Sequence, residues 1–153
     1  WEDTLVKRFN SLQNWKAFRL GSPSVALPDV LAVNNPESTI FTTEAKSGTG
    51  TTLQVPFDQI ERCLNWVNTF QIYKKREVIL AFKFLSKKRI GVGKYEKREL
   101  REFYKVWDKK RKPTDFVCTY DGKTYALKNG KQKRLEVKDF FMPFKSKYQL
   151  FYK

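Results

Sequence analysis

Two periods run through the apolar positions of this chain. In residues 2–12, Leu5, Val6, Phe9 and Leu12 fall at i, i+1, i+4 and i+7, the one-sided stripe of a short amphipathic helix. Glu2 lies three residues before Leu5 and seven before Phe9, so it belongs to the apolar face rather than the wet one. Residues 15–20 read as a strand and 21–24 as a loop. Residues 29–33 form a short apolar strand broken by Asn34-Asn35-Pro36, and 39–46 are β-branched and aromatic, so 34–38 is the turn of a hairpin. A polar loop at 48–52 precedes Pro56, which opens a helix with Asp58 near its positive end and a stripe of Ile60, Cys63, Leu64, Val67 and Phe70. Residues 77–85 have the composition of a buried strand. A hairpin, then a helix, then a strand predicts an α/β sandwich with a mixed sheet.

Beyond residue 86, Leu100, Phe103, Tyr104 and Trp107 predict a helix over 96–107. Asp121-Gly122 between 115–120 and 124–127 signals a hairpin, Asn129-Gly130 a second turn, and 134–140 a further strand. The chain shows no internal repeat and no linker, so a single domain over residues 1–153 is expected, with a core in 1–85 and an extension of the same domain in 86–153.

Charge changes this picture. The formal net charge is +15, and it is lopsided: residues 1–73 hold six basic and seven acidic side chains, residues 74–153 twenty-five and nine. Phosphate binding therefore falls to the second half, where aromatic residues lie among the lysines, as they do in a folded domain with a cationic face. The carboxylates of the first half are left for other work. The absence of histidine excludes histidine general bases, Ser–His and Cys–His pairs and histidine-ligated metals. Cys63 and Cys118 read as reduced core thiols. No run reaches the length of a membrane span, no basic amphipathic helix suits a lipid surface, and no signal peptide is visible, so no membrane association and a cytoplasmic, nucleoid-associated location are expected. The missing initial Met suggests that a few residues precede this numbering.

The candidate chemistry sits in the predicted hairpin. Side chains alternate along a strand, so Glu44 and Lys46 share a face. Pairing about the 34–38 turn sets Asp29, after Pro28, opposite residues 43–44. Two carboxylates and an ammonium then share one edge, and such a cluster is costly unless it binds something. Mg²⁺ suits it: the ion takes oxygen ligands and keeps several waters, so Asp29, Glu44 and the Ala45 carbonyl would suffice, with Glu2 as a third carboxylate. Lys46 would orient the attacking water or offset phosphoryl charge. The competing reading has Asp29 capping a turn, Glu44 and Lys46 as a surface ion pair, and Glu2 as a terminal residue without a role.

Pro28-Asp29 followed by Glu44-Ala45-Lys46 resembles the PD-(D/E)xK nuclease signature. More narrowly, residues 2–85 resemble the archaeal Holliday junction resolvase family. The matches are Glu2, Arg19 before Gly21-Ser22-Pro23-Ser24, Pro28-Asp29, Glu44-Ala45-Lys46-Ser47, and Asp58-Gln59-Ile60-Glu61 before the strand 78–84. The resemblance implies a restriction-endonuclease-like α/β core, a mixed central sheet flanked by helices; beyond residue 86 it matches weakly, and there the residues themselves predict an additional basic C-terminal β-hairpin region. It implies a homodimeric endonuclease of DNA recombination and repair that cuts four-way junctions with Mg²⁺, for which Mn²⁺ can substitute. Carried over by residue, Glu2, Asp29, Glu44 and Ala45 would hold the metal. Lys46 would assist the water, Ser22 or Ser24 would act at the scissile phosphate, and Arg19 and Gln59 would contact DNA. The serine loop continues Val25-Ala26-Leu27, where that family carries basic residues. Two other functions fit the same residues: a PD-(D/E)xK nuclease of duplex or flap DNA, and a non-catalytic basic DNA-binding module. Trp66, Phe70 and residues 140–144 are candidates for a subunit contact, with core packing as their commoner use.

Overall fold

The computed structural model describes residues 1–20 and 27–151. Among them are two helices, α1 (Glu2–Asn10) and α2 (Phe57–Thr69), and three sheets. The strands are β1 (Lys16–Arg19), β2 (Val30–Asn34), β3 (Thr39–Gly48), β4 (Thr52–Val55), β5 (Lys75–Phe84), β6 (Lys87–Gly91), β7 (Lys94–Lys97), β8 (Arg101–Trp107), β9 (Asp115–Thr119), β10 (Thr124–Lys128), β11 (Lys131–Arg134) and β12 (Lys138–Asp139). The central sheet has the order β1-β2-β3-β5-β8-β12. Its β3–β5 pairing is parallel and its others are antiparallel. A parallel pair needs a long crossover, and β4 with α2 supplies it. The predicted mixed α/β sheet is therefore present. A second sheet, β11-β10-β9-β4, lies on the α2 side, and β6 pairs with β7 alone.

Alternation along β5 feeds two hydrophobic layers. Val78, Leu80, Phe82 and Phe84 join Ile60, Cys63, Val67, Phe103, Phe116 and Cys118 beneath α2 and the second sheet. Ile79 and Ala81 join Leu5, Phe9, Phe41, Ala45, Tyr104, Met142 and Phe144 beneath α1. The 140–144 run is thus mostly core: Met142 and Phe144 are buried, and Phe140 meets Phe41 edge-on at 5.3 Å. Phe141 is exposed and stacks on Phe151.

The helix predicted over 96–107 is absent. Those residues form the end of β7 and all of β8. Phe103 and Trp107 enter one layer and Tyr104 the other. A strand covered on both faces loses the period of two and can match a helical stripe by accident. The strand predicted over 134–140 also divides, with β11 ending at Arg134 and β12 holding only Lys138 and Asp139. The Asn129-Gly130 turn is as expected: both residues have positive φ, 52° and 73°, the requirement of a two-residue hairpin loop.

Buried charge ties the termini to the centre. Glu102 is fully buried and accepts hydrogen bonds from both guanidinium nitrogens of Arg8, at 2.5 and 3.0 Å, from the Tyr104 hydroxyl at 2.8 Å and from Ser146 Oγ at 2.9 Å. Lys105, also buried, donates to Asp139 at 2.6 Å.

Gly122 turns the β9–β10 hairpin at φ 85°, and a Cβ there would lie 2.6 Å from Phe103 Cε1, inside the core. Gly122→Ala combines positive φ with overpacking and is expected to cost about 2 kcal/mol. Chemical denaturation reads the loss directly.

Candidate functional site

The β2–β3 register sets Val30 against Thr43, so the next position places Asp29 beside Glu44. On β3, Thr42 Oγ1 donates to the Cys63 carbonyl and Glu44 meets Arg62 and Cys63, which fixes the even-numbered side chains under α2. Lys46 follows on the same face by alternation. Asp29 Oδ2 accepts from the Ala45 N–H at 2.9 Å, locking the carboxylate across the two strands. The structure therefore brings Asp29 and Glu44 together, with Lys46 two residues further along the same face of β3. Ala45 meets the group through its N–H, and its side chain lies in the opposite layer.

Glu44 is wholly buried. Arg62 donates to both of its oxygens, at 3.0 and 3.3 Å, and Cys63 Sγ lies 3.6 Å from Oε1. Burial pushes the Glu44 carboxyl up to about 7; the Arg62 hydrogen bond opposes this, and the Asp29 charge adds to it. The surface ion pair of Glu44 with Lys46 is not found. The partner is Arg62, and Lys46, half-buried, makes no ion pair or hydrogen bond with a described residue. Burial likewise drives the Cys63 thiol well up and Cys118 up to about 12, so neither is a nucleophile near neutral pH.

The other sequence candidates are scattered. Ser22 and Ser24 lie outside the described residues. Glu2 opens α1, on the opposite side of the sheet, 3.7 Å from the ammonium of Trp1. The Trp1 indole N–H donates to the Ala81 carbonyl, next to the Ala45–Ala81 register pair. Among the described residues no three Cys, Asp or Glu side chains gather closely enough to hold a metal, so Glu2 does not join Asp29 and Glu44. Arg19 ends β1 in an exposed ion pair with Asp3 at 3.2 Å. Gln59 sits one turn before Arg62 and Cys63 on α2, hence on the face that meets Glu44. Its Oε1 is buried and has no hydrogen-bond partner among the described residues.

Arg62 is the site residue that sequence reasoning missed. Its signal was available: Gln59, Arg62 and Cys63 follow i, i+3, i+4, so a helix that buries Cys63 turns Arg62 toward the same sheet face.

The donor set fits a hard divalent cation. It offers carboxylate oxygens on adjacent strands, an orphan amide oxygen one helical turn away, and no imidazole. No helix among the described residues is long and apolar enough to cross a membrane.

Comparison with known proteins found no matching family model and no matching curated protein. Among solved structures the chain is similar to a Holliday junction resolvase from the archaeal hyperthermophile Archaeoglobus fulgidus. The match has a TM-score of 0.49 and 20% identity, and covers 78% of this chain and 88% of the other.

Proposed function

We propose that this chain is a divalent-cation-dependent endonuclease acting on branched DNA, with four-way junctions as its preferred substrate and a homodimer as its working form. The observation that carries the reading is Glu44: a wholly buried carboxylate beside Asp29, with Lys46 on the same face and without an anionic partner among the described residues. Burying the Glu44 carboxylate beside a half-buried Asp29 is costly for folding, and a cation-binding role accounts for the cost. The +16 of residues 74–153 supplies sequence-independent phosphate affinity, as recognition of DNA by its geometry requires.

In this reading Asp29 and Glu44 would hold Mg²⁺, with the Ala45 carbonyl as a further candidate. Such an ion would supply Lewis-acid chemistry, polarising a phosphodiester and lowering the pKa of a water. The Ala45 N–H holds Asp29 Oδ2 in place across the two strands. Lys46 supplies an ammonium that orients the water or offsets charge on the phosphoryl oxygens. Arg62 holds the Glu44 carboxylate in place and neutralises it until a cation takes over that charge. Arg19, Gln59 and a serine of the 21–24 loop complete the DNA contacts.

A second reading has its own observation. Arg62 already engages both Glu44 oxygens, and a chain that used this pair permanently would bind branched DNA without cutting it. Nicking of a synthetic four-way junction, a flap and a linear duplex, with Mg²⁺ and with chelator, separates the readings. Mg²⁺-dependent nicks confined to the junction support the first; salt-sensitive binding with no nicks supports the second.

The position of Glu44 gives a pH prediction. With its carboxyl raised to about 7 from the ordinary 4.5, a cation arriving below pH 7 must displace a proton. Affinity for Mn²⁺, measured by calorimetry, is expected to fall about tenfold per pH unit below 7 and to level off above it. A flat profile from pH 5.5 to 8 would remove Glu44 from the ligand set.

A further inference from the structure

We infer that β6 and β7 form a DNA-binding wing whose cationic face grips the backbone of one junction arm and whose apolar tip meets unstacked bases at the branch point. The inference rests on the branched-DNA reading above and assigns it a surface.

The hairpin pairs only with itself. Its register sets Lys87 against Lys97 and Arg89 against Tyr95. By strand alternation these four side chains share a face, with the Lys87 ammonium 5.0 Å over the Tyr95 ring. At the tip, Ile90 is 56% and Val92 90% exposed. A lone two-stranded hairpin is marginal in water, and this one is held at its root. Arg98 donates to the carbonyls of Leu85 and Gly50 at 2.8 Å and of Gly48 at 3.3 Å, and the Arg89 backbone N–H donates to the Thr49 carbonyl at 3.0 Å. Residues 48–50 directly follow the Glu44–Lys46 segment, so the root stands roughly 13 Å along β3 from Glu44. The wing thus rises from the same end of the sheet as the candidate site.

Lysines that merely protect an edge strand from aggregation do not call for exposed Ile90, Val92 and Tyr95 beside them; such groups are a liability in water. Cations around an aromatic, with an apolar tip, match a strand of phosphates and the faces of opened bases. A second copy of this chain, itself carrying +15, is a poor occupant for a surface of this sign.

The test uses the full chain in chelator, so that binding is read without cleavage. Anisotropy is measured against salt with a labelled four-way junction and a linear duplex of equal length, for the parent, for Lys87→Gln/Arg89→Gln/Lys97→Gln, and for Ile90→Ser/Val92→Ser. Circular dichroism checks that each variant is folded. The triple variant should lower the slope of log affinity against log salt by about 2 to 3 on both DNAs. The tip variant should lose roughly tenfold on the junction and nothing on the duplex. 2-Aminopurine at the branch point should brighten with the parent and not with the tip variant. Unchanged affinity, slope and fluorescence in both variants, with the parent preferring the junction, overturns the wing and leaves the branched-DNA reading standing. A parent that binds both DNAs alike, with the triple variant losing slope on each, overturns that reading and the role of the tip, and leaves the wing as a phosphate-binding element.

Discussion

Asp29→Asn and Glu44→Gln are each expected to reduce cation-dependent nicking of a four-way junction by roughly a thousandfold or more. Several kcal/mol of charge stabilisation depend on a correctly held cation, and each 1.36 kcal/mol is a factor of about ten in rate. Both substitutions keep the size of the side chain, and each new amide retains an oxygen, for the Ala45 N–H in the first variant and for Arg62 in the second. The fold should therefore survive, as circular dichroism can check. Mn²⁺ affinity measured by calorimetry should fall alongside the rate. Lys46→Met should separate the two: slow nicking with cation affinity unchanged. Cleavage that persists in Asp29→Asn or Glu44→Gln at the parent's rate would falsify the assignment of the pair.

The largest effect on stability is expected at Arg8. Arg8→Met leaves the Glu102 carboxylate buried with only the Tyr104 and Ser146 hydroxyls as side-chain partners, a change of about 3–5 kcal/mol. Urea unfolding would show it as a lower midpoint. Adding Glu102→Gln to Arg8→Met removes the stranded charge and should restore part of the loss; a double variant as unstable as the single one would mean that packing, not charge, dominates. The network also has a pH signature. Burial works to raise the Glu102 carboxyl, but the hydrogen bonds from Arg8, Tyr104 and Ser146 win and hold it below the ordinary carboxylate range. Its contribution is present above that range and is lost as pH falls through the lowered value. Glu44 works the other way: held up to about 7, it weakens the cation-free protein as pH rises from 4.5 toward 7.

The sequence was most readable where one local rule acted alone. The 34–38 turn and the two-residue side-chain period were enough to set Asp29 opposite Glu44, and β2 and β3 keep that register. Pro56 and the stripe through Val67 marked α2 for the same reason. The reading failed where burial came from both sides. β8 carries Phe103, Tyr104 and Trp107 into separate layers, and the resulting apolar run has no strand period to detect. The helical pattern over 96–107 also hides the β6–β7 hairpin, because it claims Glu96 and Lys97 for a helix. Arg62 was missed for a different reason. Its inward place on α2 was legible from the i, i+3, i+4 spacing with Gln59 and Cys63, but its partner was not, because the contact joins α2 to β3, eighteen residues apart in sequence.

The strand order also determines when the chain can fold as it is made. Both hydrophobic layers draw on late segments: Phe103, Trp107, Phe116 and Cys118 on one side, Tyr104, Met142 and Phe144 on the other. On the ribosome, α1 through β5 emerge first with β5 an open edge and β4 without β9. One layer waits for Cys118 to leave the exit tunnel, and the other waits for Phe144. Synthesis is thus a period in which the β5 edge is exposed without β8, and assembly becomes a late, collective event rather than a progression from the amino terminus.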